Sequence, residues 1–229
     1  MTKIMTALLS IENLPDLNET ITVPEDIFEE LTAQDASVAG FNPYEQPTVR
    51  DLLYGVLLPS GADACETLAR AVGGSEEGFV AMMNQKAEEL GLTNTHFENC
   101  TGLHNDNHYS TCRDIAVLMS ECLKSDTFRE IVTREVYTTE ATASHPEGIT
   151  LYDTMLHRFT SYEMSTTLEN GAVIEGGKTG FTDEAGQCLV SFAEYGGEEY
   201  ILVTAEAMTD SGSAVDSIAD ASTVYGRLQ

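Results

Sequence analysis

A short segment near the start of the chain constrains the fold more than any other. Residues 4–11, IMTALLSI, are apolar on almost every face when they are placed on a helix. A helix that is apolar all round has to lie inside the protein, surrounded by other elements. Lys3 stands at the first turn of this helix, where a buried ammonium is costly unless it finds partners. The sequence therefore predicts a central helix with a cation held at its N-terminal end.

The composition limits the partners of the chain. Its 229 residues include 38 acidic and 11 basic side chains, which gives a formal net charge of −27. Nucleic acid requires a basic face, and anionic membrane surfaces attract lysine and arginine, so we expect neither as a partner. The sequence has no run of 18 apolar residues, and its 42% of hydrophobic residues are enough for a core. We interpret the negative charge as a source of solubility.

Cysteine and histidine spacings indicate neither a disulfide framework nor a metal centre. The five cysteines are odd in number and form no C-x-x-C pair: Cys65, Cys100, Cys112, Cys122 and Cys188. His104 and His108, with Asp106 between them, have a spacing that suits a metal only on a helix. The glycine and asparagines around them predict a loop instead, so we expect no metal there.

Helical patterns dominate residues 48–124. We predict four helices, which cover residues 48–58 up to Pro59, the segment after Pro59-Ser60-Gly61 up to Gly73-Gly74, the segment from a Ser75 cap to Gly91, and the segment from a capping box at Thr111–Asp114 to Leu123. Residues 20–24 read as a short strand or an extended segment.

Strand patterns dominate the remainder. We predict strands at Glu135–Glu140, Gln187–Tyr195 and Glu198–Met208, with the last two forming a hairpin around Gly196-Gly197, and a closing helix over Asp210–Leu228. Residues 141–148 are expected to form a mobile loop. The fold class is α/β in the layered α+β sense, an antiparallel sheet flanked by helices with an inserted helical subdomain. We expect one domain over 1–229, with a helical subdomain at about 25–125 and a sheet subdomain at 1–24 and 126–229.

Three short segments carry polar groups where apolar or neutral residues would be expected. They are Thr2-Lys3, Ser60-Gly61-Ala62 and the run from Gly176 to Thr182, GGKTGFT. Alone, Ser60 is most simply a helix N-cap, the glycines shape a turn, and Lys3 is a terminal charge. Together they match the site of penicillin-recognising serine enzymes, which combines a Ser-x-x-Lys helix, a second serine and a Lys-Thr-Gly strand.

The wider sequence strengthens this match. The chain resembles the D-alanyl-D-alanine carboxypeptidases among the low-molecular-mass penicillin-binding proteins, which share the β-lactamase/transpeptidase-like fold. The similar stretches run from residue 2 to about residue 195: TKIMTALL, TVRDLLYGVLLPSGADAC, FVAMMNQKAEELGLTNTHFEN, TGLHNDNHYSTCRDIAVL and GGKTGFTDEAGQCLVSFA.

The resemblance implies a role for each residue that matches a family motif. Lys3 would be the base that activates the nucleophilic serine. Ser60 would relay a proton to the leaving D-alanine. Lys178 would hold this relay and attract the terminal carboxylate of the substrate.

The residues after Lys178 would line the substrate site. Thr179 would hydrogen-bond the same carboxylate, and the backbone N–H of Phe181 would be one donor of the oxyanion hole. Gly180 and Thr182 would line the same side of the substrate site. Ala62, in the second motif, would face the substrate from the other side.

The sequence departs from the family pattern in three places. The nucleophilic serine would stand immediately before Met1, so we expect the chain as given to be an inactive, N-terminally shortened form. Ala62 replaces the asparagine of the Ser-x-Asn motif. The segment Met208-Thr209-Asp210 offers no arginine after the last strand.

The implied function is that of a serine hydrolase that removes the terminal D-alanine of peptidoglycan stem peptides through an acyl-enzyme. The implied partners are stem peptides ending in D-Ala-D-Ala and β-lactam antibiotics. No cofactor is implied, the location is the outer face of the cytoplasmic membrane, and the oligomeric state stays open. Two alternatives remain open: a β-lactamase, for which neither Glu140 nor Glu147 stands out as a deacylating acid, and a non-catalytic muropeptide-binding protein.

Overall fold

The computed structural model describes residues 1–207 and 215–229 as an arrangement of helices around a small antiparallel sheet. The helices of this part of the chain are α1 (Lys3–Asn13), α2 (Ile27–Ala33), α3 (Val49–Leu57), α4 (Ala62–Gly73), α5 (Glu76–Glu89), α6 (Cys112–Cys122), α7 (Asp126–Val132), α8 (Leu156–Ser161) and α9 (Asp216–Tyr225). The strands are β1 (Val136–Thr138), β2 (Thr150–Tyr152), β3 (Val173–Thr182), β4 (Gly186–Tyr195) and β5 (Glu198–Ala207).

Helix α1 is the centre of the helical layer. Residues 4–10 are all buried, and the helix packs against α3, α4, α5, α6 and α7. Its apolar side chains therefore meet other helices on every side, as a helix without a polar face requires. The predicted central helix is confirmed.

The larger sheet has the strand order β3-β4-β5, with antiparallel pairing throughout. Gly196 and Gly197 join β4 to β5 with φ angles of 64° and 85°, so the predicted two-residue hairpin turn is confirmed. Helix α9 covers β4 and β5, and α6 also packs against these two strands. The predicted layered fold class is confirmed, while the subdomain boundaries at 25 and 125 stay a prediction.

Several elements differ from the sequence predictions. Of the two alternatives for residues 20–24, the strand is wrong: Thr20 makes an isolated bridge to Thr48, and the N–H groups of Ile21 and Val23 donate to the carbonyls of residues 47 and 45. The helices α2, α7 and α8 and the strand β2 were not predicted, because elements of three to seven residues are too short to show a hydrophobic period. The end of the predicted strand at Met208, and the start of the predicted closing helix, lie outside the described residues.

The capping box lies at a different helix from the one predicted. Thr111 accepts a hydrogen bond from the Asp114 N–H, but the Asp114 carboxylate accepts from Asn94 and Thr95 instead of returning to Thr111. A complete box occurs at α3, where Thr48 and Asp51 satisfy each other's backbone N–H groups. The motif at α6 was therefore only half correct.

Candidate active site

The N-terminal turn of α1 is bound to the loop that contains residues 100–108. Lys3 Nζ donates to the Thr101 carbonyl oxygen at 2.6 Å, and Thr6 Oγ1 donates to the Cys100 carbonyl oxygen at 2.6 Å. Thr2 Oγ1 lies 2.8 Å from His108 Nε2. The half-buried Lys3 ammonium thus has the partner that a cation at this position requires.

The second motif forms a tight corner before α4. Ser60 has a φ angle of +67°, the left-handed conformation that is costly for a residue with a side chain. The N-cap of α4 is Gly61, so the interpretation of Ser60 as a simple N-cap is wrong. Ala62 is the first residue of the helix and only 1% exposed. Strain at a non-glycine residue is often associated with functional sites, and Ser60 fits this pattern.

A buried carboxylate holds this corner in place. Both oxygens of Asp63 accept hydrogen bonds from the backbone N–H groups of residues 39–41, at 2.7 to 3.1 Å. A Cβ atom on Gly61 would lie 2.6 Å from the Ala39 nitrogen, so only glycine fits between Ser60 and the helix. Burial raises the pKa of Asp63, and the backbone donors partly oppose this effect.

The third motif lies on β3, within the sheet. Lys178 is 1% exposed and Thr179 is 8% exposed, whereas Phe181 is 62% exposed. A Cβ on Gly176 would lie 2.3 Å from the Val132 carbonyl oxygen, which explains why a glycine precedes the lysine segment. Thr182 Oγ1 accepts from the Ala185 N–H at 3.0 Å and so closes the turn between β3 and β4.

Burial and neighbouring charge determine the state of Lys178. Burial, followed by the positive charge of Lys3, lowers the pKa of Lys178 to about 7. The carboxyl group of Asp153 opposes this change, and burial raises its own pKa to about 7.

The described contacts bring the N-terminus of α1, the corner before α4 and β3 together. The Met1 nitrogen lies 3.2 Å from the position that a Cβ on Gly180 would occupy, so the start of α1 meets β3 directly. The charges of Lys3 and Lys178 both lower the pKa of the Cys65 thiol on α4, against burial, which raises it to about 12. The elements that carry the first and third motifs and the helix that follows the second, α1, β3 and α4, therefore lie close together.

Thr154 joins the second motif to the third. Its backbone N–H donates to the Leu58 carbonyl, two residues before Ser60, at 3.1 Å. Its Oγ1 lies 2.6 Å from Thr179 Oγ1. Sequence reasoning missed Thr154 and Asp153 because no motif marks the segment between β2 and α8.

His108 was considered only as a metal ligand, and its observed contacts are different. Its Nε2 contacts Thr2, its Nδ1 accepts from the Glu98 N–H at 3.2 Å, and burial lowers its pKa to about 4. His104 contacts Asp106 at 3.3 Å, so the two histidines have separate partners. His108 lies within the stretch TGLHNDNHYST, which is one of the segments similar to the family. The resemblance therefore pointed to this loop, although it assigned no role to His108.

A different group of potential metal ligands occurs within residues 1–207 and 215–229. The side chains of Glu66, Glu76 and Cys100 place their ligand atoms within 4.8 Å of one another. Cys100 donates to Glu66 at 3.4 Å, and Glu76 accepts from the Cys100 backbone N–H at 3.1 Å. These contacts connect the 100–108 loop to α4 and α5.

Two surface cavities lie away from the predicted residues. One, of about 780 Å³, opens beside the start of β3 and is lined by Arg129, Glu135, Phe159, Thr166 and Glu175, among others. The other, of about 280 Å³, lies between residues 44–46 and 141–144. None of the predicted site residues lines either cavity.

The comparison with known sequences gives a consistent result. A family model described as D-alanyl-D-alanine carboxypeptidase matches residues 1–209. The D-alanyl-D-alanine carboxypeptidase DacF of Bacillus subtilis is 35% identical over 210 residues, which are 91% of this chain and 51% of that protein. The D-alanyl-D-alanine carboxypeptidase of Streptomyces sp. K15 is 36% identical over 208 residues, which are 87% of this chain and 69% of that protein. The chain thus spans about half the length of the Bacillus relative.

Solved structures agree with these relatives. The DD-transpeptidase of Streptomyces K15 superposes with a TM-score of 0.81 at 32% identity, covering 98% of this chain and 85% of that one. A D-alanyl-D-alanine carboxypeptidase from Mycobacterium tuberculosis H37Rv gives a TM-score of 0.78 at 26% identity, covering 98% of this chain and 79% of that one. Among the described residues, the helices are too short or too polar to cross a membrane.

Proposed function

The chain belongs to the D-alanyl-D-alanine carboxypeptidase family, and from this premise we propose that its gene product is a penicillin-binding serine D-Ala-D-Ala carboxypeptidase. The observation that carries the proposal is the position of Met1 beside β3, where its nitrogen lies 3.2 Å from the place that a Cβ on Gly180 would occupy. Counting back from Lys3, the Ser-x-x-Lys motif assigns the nucleophile to the position directly before Met1. A substrate lying along β3 would then meet the nucleophile near Gly180.

The proposed reaction has two stages. The hydroxyl of the serine before Met1 attacks the carbonyl carbon between the two D-alanines, and Lys3, in its neutral amine form, accepts its proton. The bond to the leaving D-alanine breaks as Ser60 gives its proton to that amine and takes the proton held by Lys3, and an ester links the serine to the shortened peptide. Water cleaves this ester, which restores the serine and releases the product acid.

The substrate-binding roles follow from the position of β3. The Lys178 ammonium attracts the terminal carboxylate, Thr179 donates a hydrogen bond to it, and the Phe181 N–H polarises the reacting carbonyl. Gly180, Thr182 and Ala62 shape the same cleft. We propose stem peptides ending in D-Ala-D-Ala and β-lactams as ligands, and the outer face of the cytoplasmic membrane as the location.

The decisive experiment uses the chain extended by a serine before Met1. Fluorescent penicillin should label this protein stoichiometrically, and the protein should release D-alanine from a diacyl-lysyl-D-alanyl-D-alanine tripeptide. Replacement of the added serine by alanine is the matched control and should abolish both signals. Mass spectrometry of a tryptic digest should place the penicilloyl group on the peptide that contains Met1.

Other outcomes separate the alternatives. Sustained hydrolysis of nitrocefin, rather than a single burst, would favour a β-lactamase, because that activity requires fast deacylation. Binding of a muropeptide without labelling or D-alanine release would favour a non-catalytic binding protein. Labelling that persists in the alanine control would contradict the assignment of the nucleophile.

A further inference from the structure

Two threonine hydroxyls meet at the proposed carboxylate site. Thr154 Oγ1 lies 2.6 Å from Thr179 Oγ1, a short hydrogen bond between two hydroxyl groups. Thr179 is the residue that would donate to the substrate, whereas the family motifs assign nothing to Thr154. The contact therefore connects a substrate-binding hydroxyl to a residue outside the three motifs.

The turn that carries Thr154 is held from several sides. The Asp153 side chain, which is buried, accepts from the N–H groups of Met155 and Leu156 at 2.8 and 2.7 Å. The Asp153 N–H donates to the Glu135 carbonyl at 2.8 Å, and the Thr154 N–H donates to the Leu58 carbonyl. Because its backbone is fixed, Thr154 presents its hydroxyl to Thr179 in one position.

The direction of this hydrogen bond decides what Thr179 can do. A hydroxyl has one proton to donate and two lone pairs that accept. When Thr154 donates to Thr179, the Thr179 proton stays free to point at an anion. A hydrogen bond to an ionised carboxylate is roughly twice as strong as one between neutral groups, so a bound carboxylate selects this direction.

We propose that Thr154 is a positioning residue that orients the Thr179 hydroxyl toward the terminal carboxylate of the substrate. This inference rests on the proposed function, since it concerns the same site. Thr154 fixes the rotamer of Thr179 before the substrate arrives, and preorganisation of this kind lowers the cost of binding. The effect is specific to ligands that carry the carboxylate.

The test compares two antibiotics that differ only at that group, benzylpenicillin and its methyl ester, in the chain with a serine before Met1. Thr154→Val keeps the shape of the side chain and removes its hydroxyl. We expect the second-order acylation rate constant to fall about tenfold with benzylpenicillin and less than about twofold with the ester. Thr154→Ser restores the hydroxyl and should recover the rate to within about threefold.

The chain offers a matched control for the loss of a threonine pair. Thr138 Oγ1 and Thr150 Oγ1 form an exposed hydroxyl pair at 3.3 Å, on β1 and β2. Thr138→Val should leave both acylation rate constants unchanged. If it lowers them as Thr154→Val does, the effect is a general loss of structure and the inference is overturned.

A double-mutant cycle shows whether Thr154 acts through Thr179. Thr154→Val should have no further effect in a Thr179→Val background, because the positioned hydroxyl is already gone. Additive effects, or an equal loss with the penicillin and its ester, would overturn the inference alone. Failure of the unsubstituted serine-bearing chain to react with benzylpenicillin would instead reject the proposed function, and this inference with it.

Discussion

The two lysines of the site are stabilised in different ways. Lys3, on α1, is half-buried, and its ammonium donates to the Thr101 carbonyl at 2.6 Å. Lys178, on β3, is 1% exposed and donates to the carbonyl of its own neighbour Thr179 at 3.2 Å. The longer bond and deeper burial leave Lys178 dependent on more distant charge, chiefly the Asp153 carboxyl group.

The comparison shows that the surroundings of Lys178 change its pKa. A buried ammonium whose hydrogen bond goes to a neutral carbonyl gives up its proton more readily than one in water, and burial lowers the pKa of Lys178 to about 7. The nearby charge of Lys3 contributes to this fall, after burial. Arginine substitutions at the two positions should therefore have different consequences.

The largest effect is expected for Lys3→Arg. The guanidinium keeps the charge and can still donate to Thr101, but it cannot accept the serine proton near neutral pH. In the serine-bearing chain, acylation by fluorescent penicillin should fall by a factor of about 10³, as expected for the loss of a general base. The melting temperature should change little, and acylation at the original rate would exclude Lys3 as the base.

Lys178→Arg should act on stability as well as on activity. The side chain is enclosed, so a larger guanidinium overpacks its site and should lower the free energy of unfolding by about 1–3 kcal/mol. Urea denaturation of both arginine variants measures the contrast. Equal stability of the two variants would refute the difference in enclosure between the two lysines.

The third prediction concerns the charge opposite Lys178. Asp153→Asn keeps an oxygen for the N–H groups of Met155 and Leu156 but removes the carboxylate that raises the pKa of Lys178. The ammonium should then lose its proton at lower pH. The alkaline limb of the acylation profile should move down by about one pH unit.

Its control uses an exposed aspartate on α9, outside the 100–108 loop. Asp220→Asn removes the same charge and should leave the profile in place. A shift of equal size in both variants would point to the overall negative charge of the protein. A shift toward higher pH in Asp153→Asn would contradict the proposed role of the carboxylate.

The sequence predicted those parts of the structure that local sequence patterns specify, and it missed those that depend on contacts between distant residues. Helix α1 and the hairpin at Gly196-Gly197 were predicted because burial on all faces and a two-glycine turn are local properties. The turn at Asp153 and Thr154 was missed because it is stabilised by distant partners, the carbonyls of Glu135 and Leu58. Tertiary contacts of this kind leave no periodic pattern in the chain.

Ser60 shows the same limit at a single residue. A serine after a proline and before a helix is a typical N-cap, so the local pattern predicted a cap. The observed φ angle of +67° is incompatible with this role, and Gly61 takes the cap position. The conformation is imposed by the corner that Asp63 and residues 39–41 hold together, which the sequence pattern did not reveal.

The smallest predicted effect is a difference in stability between two variants of Ser60, the residue proposed to relay a proton. It tests the positive φ angle at this position. Ser60→Gly and Ser60→Ala both remove the hydroxyl, so they should lose D-alanine release to the same extent in the serine-bearing chain and differ only in stability. Glycine adopts a positive φ without strain, so Ser60→Gly should have a free energy of unfolding about 1 kcal/mol higher than Ser60→Ala. Ser144 is exposed and has no positive φ angle, so there the alanine variant should be more stable than the glycine variant. The same order at both positions would show that the alanine variant at residue 60 carries no backbone strain, and the corner would then owe its shape to packing alone.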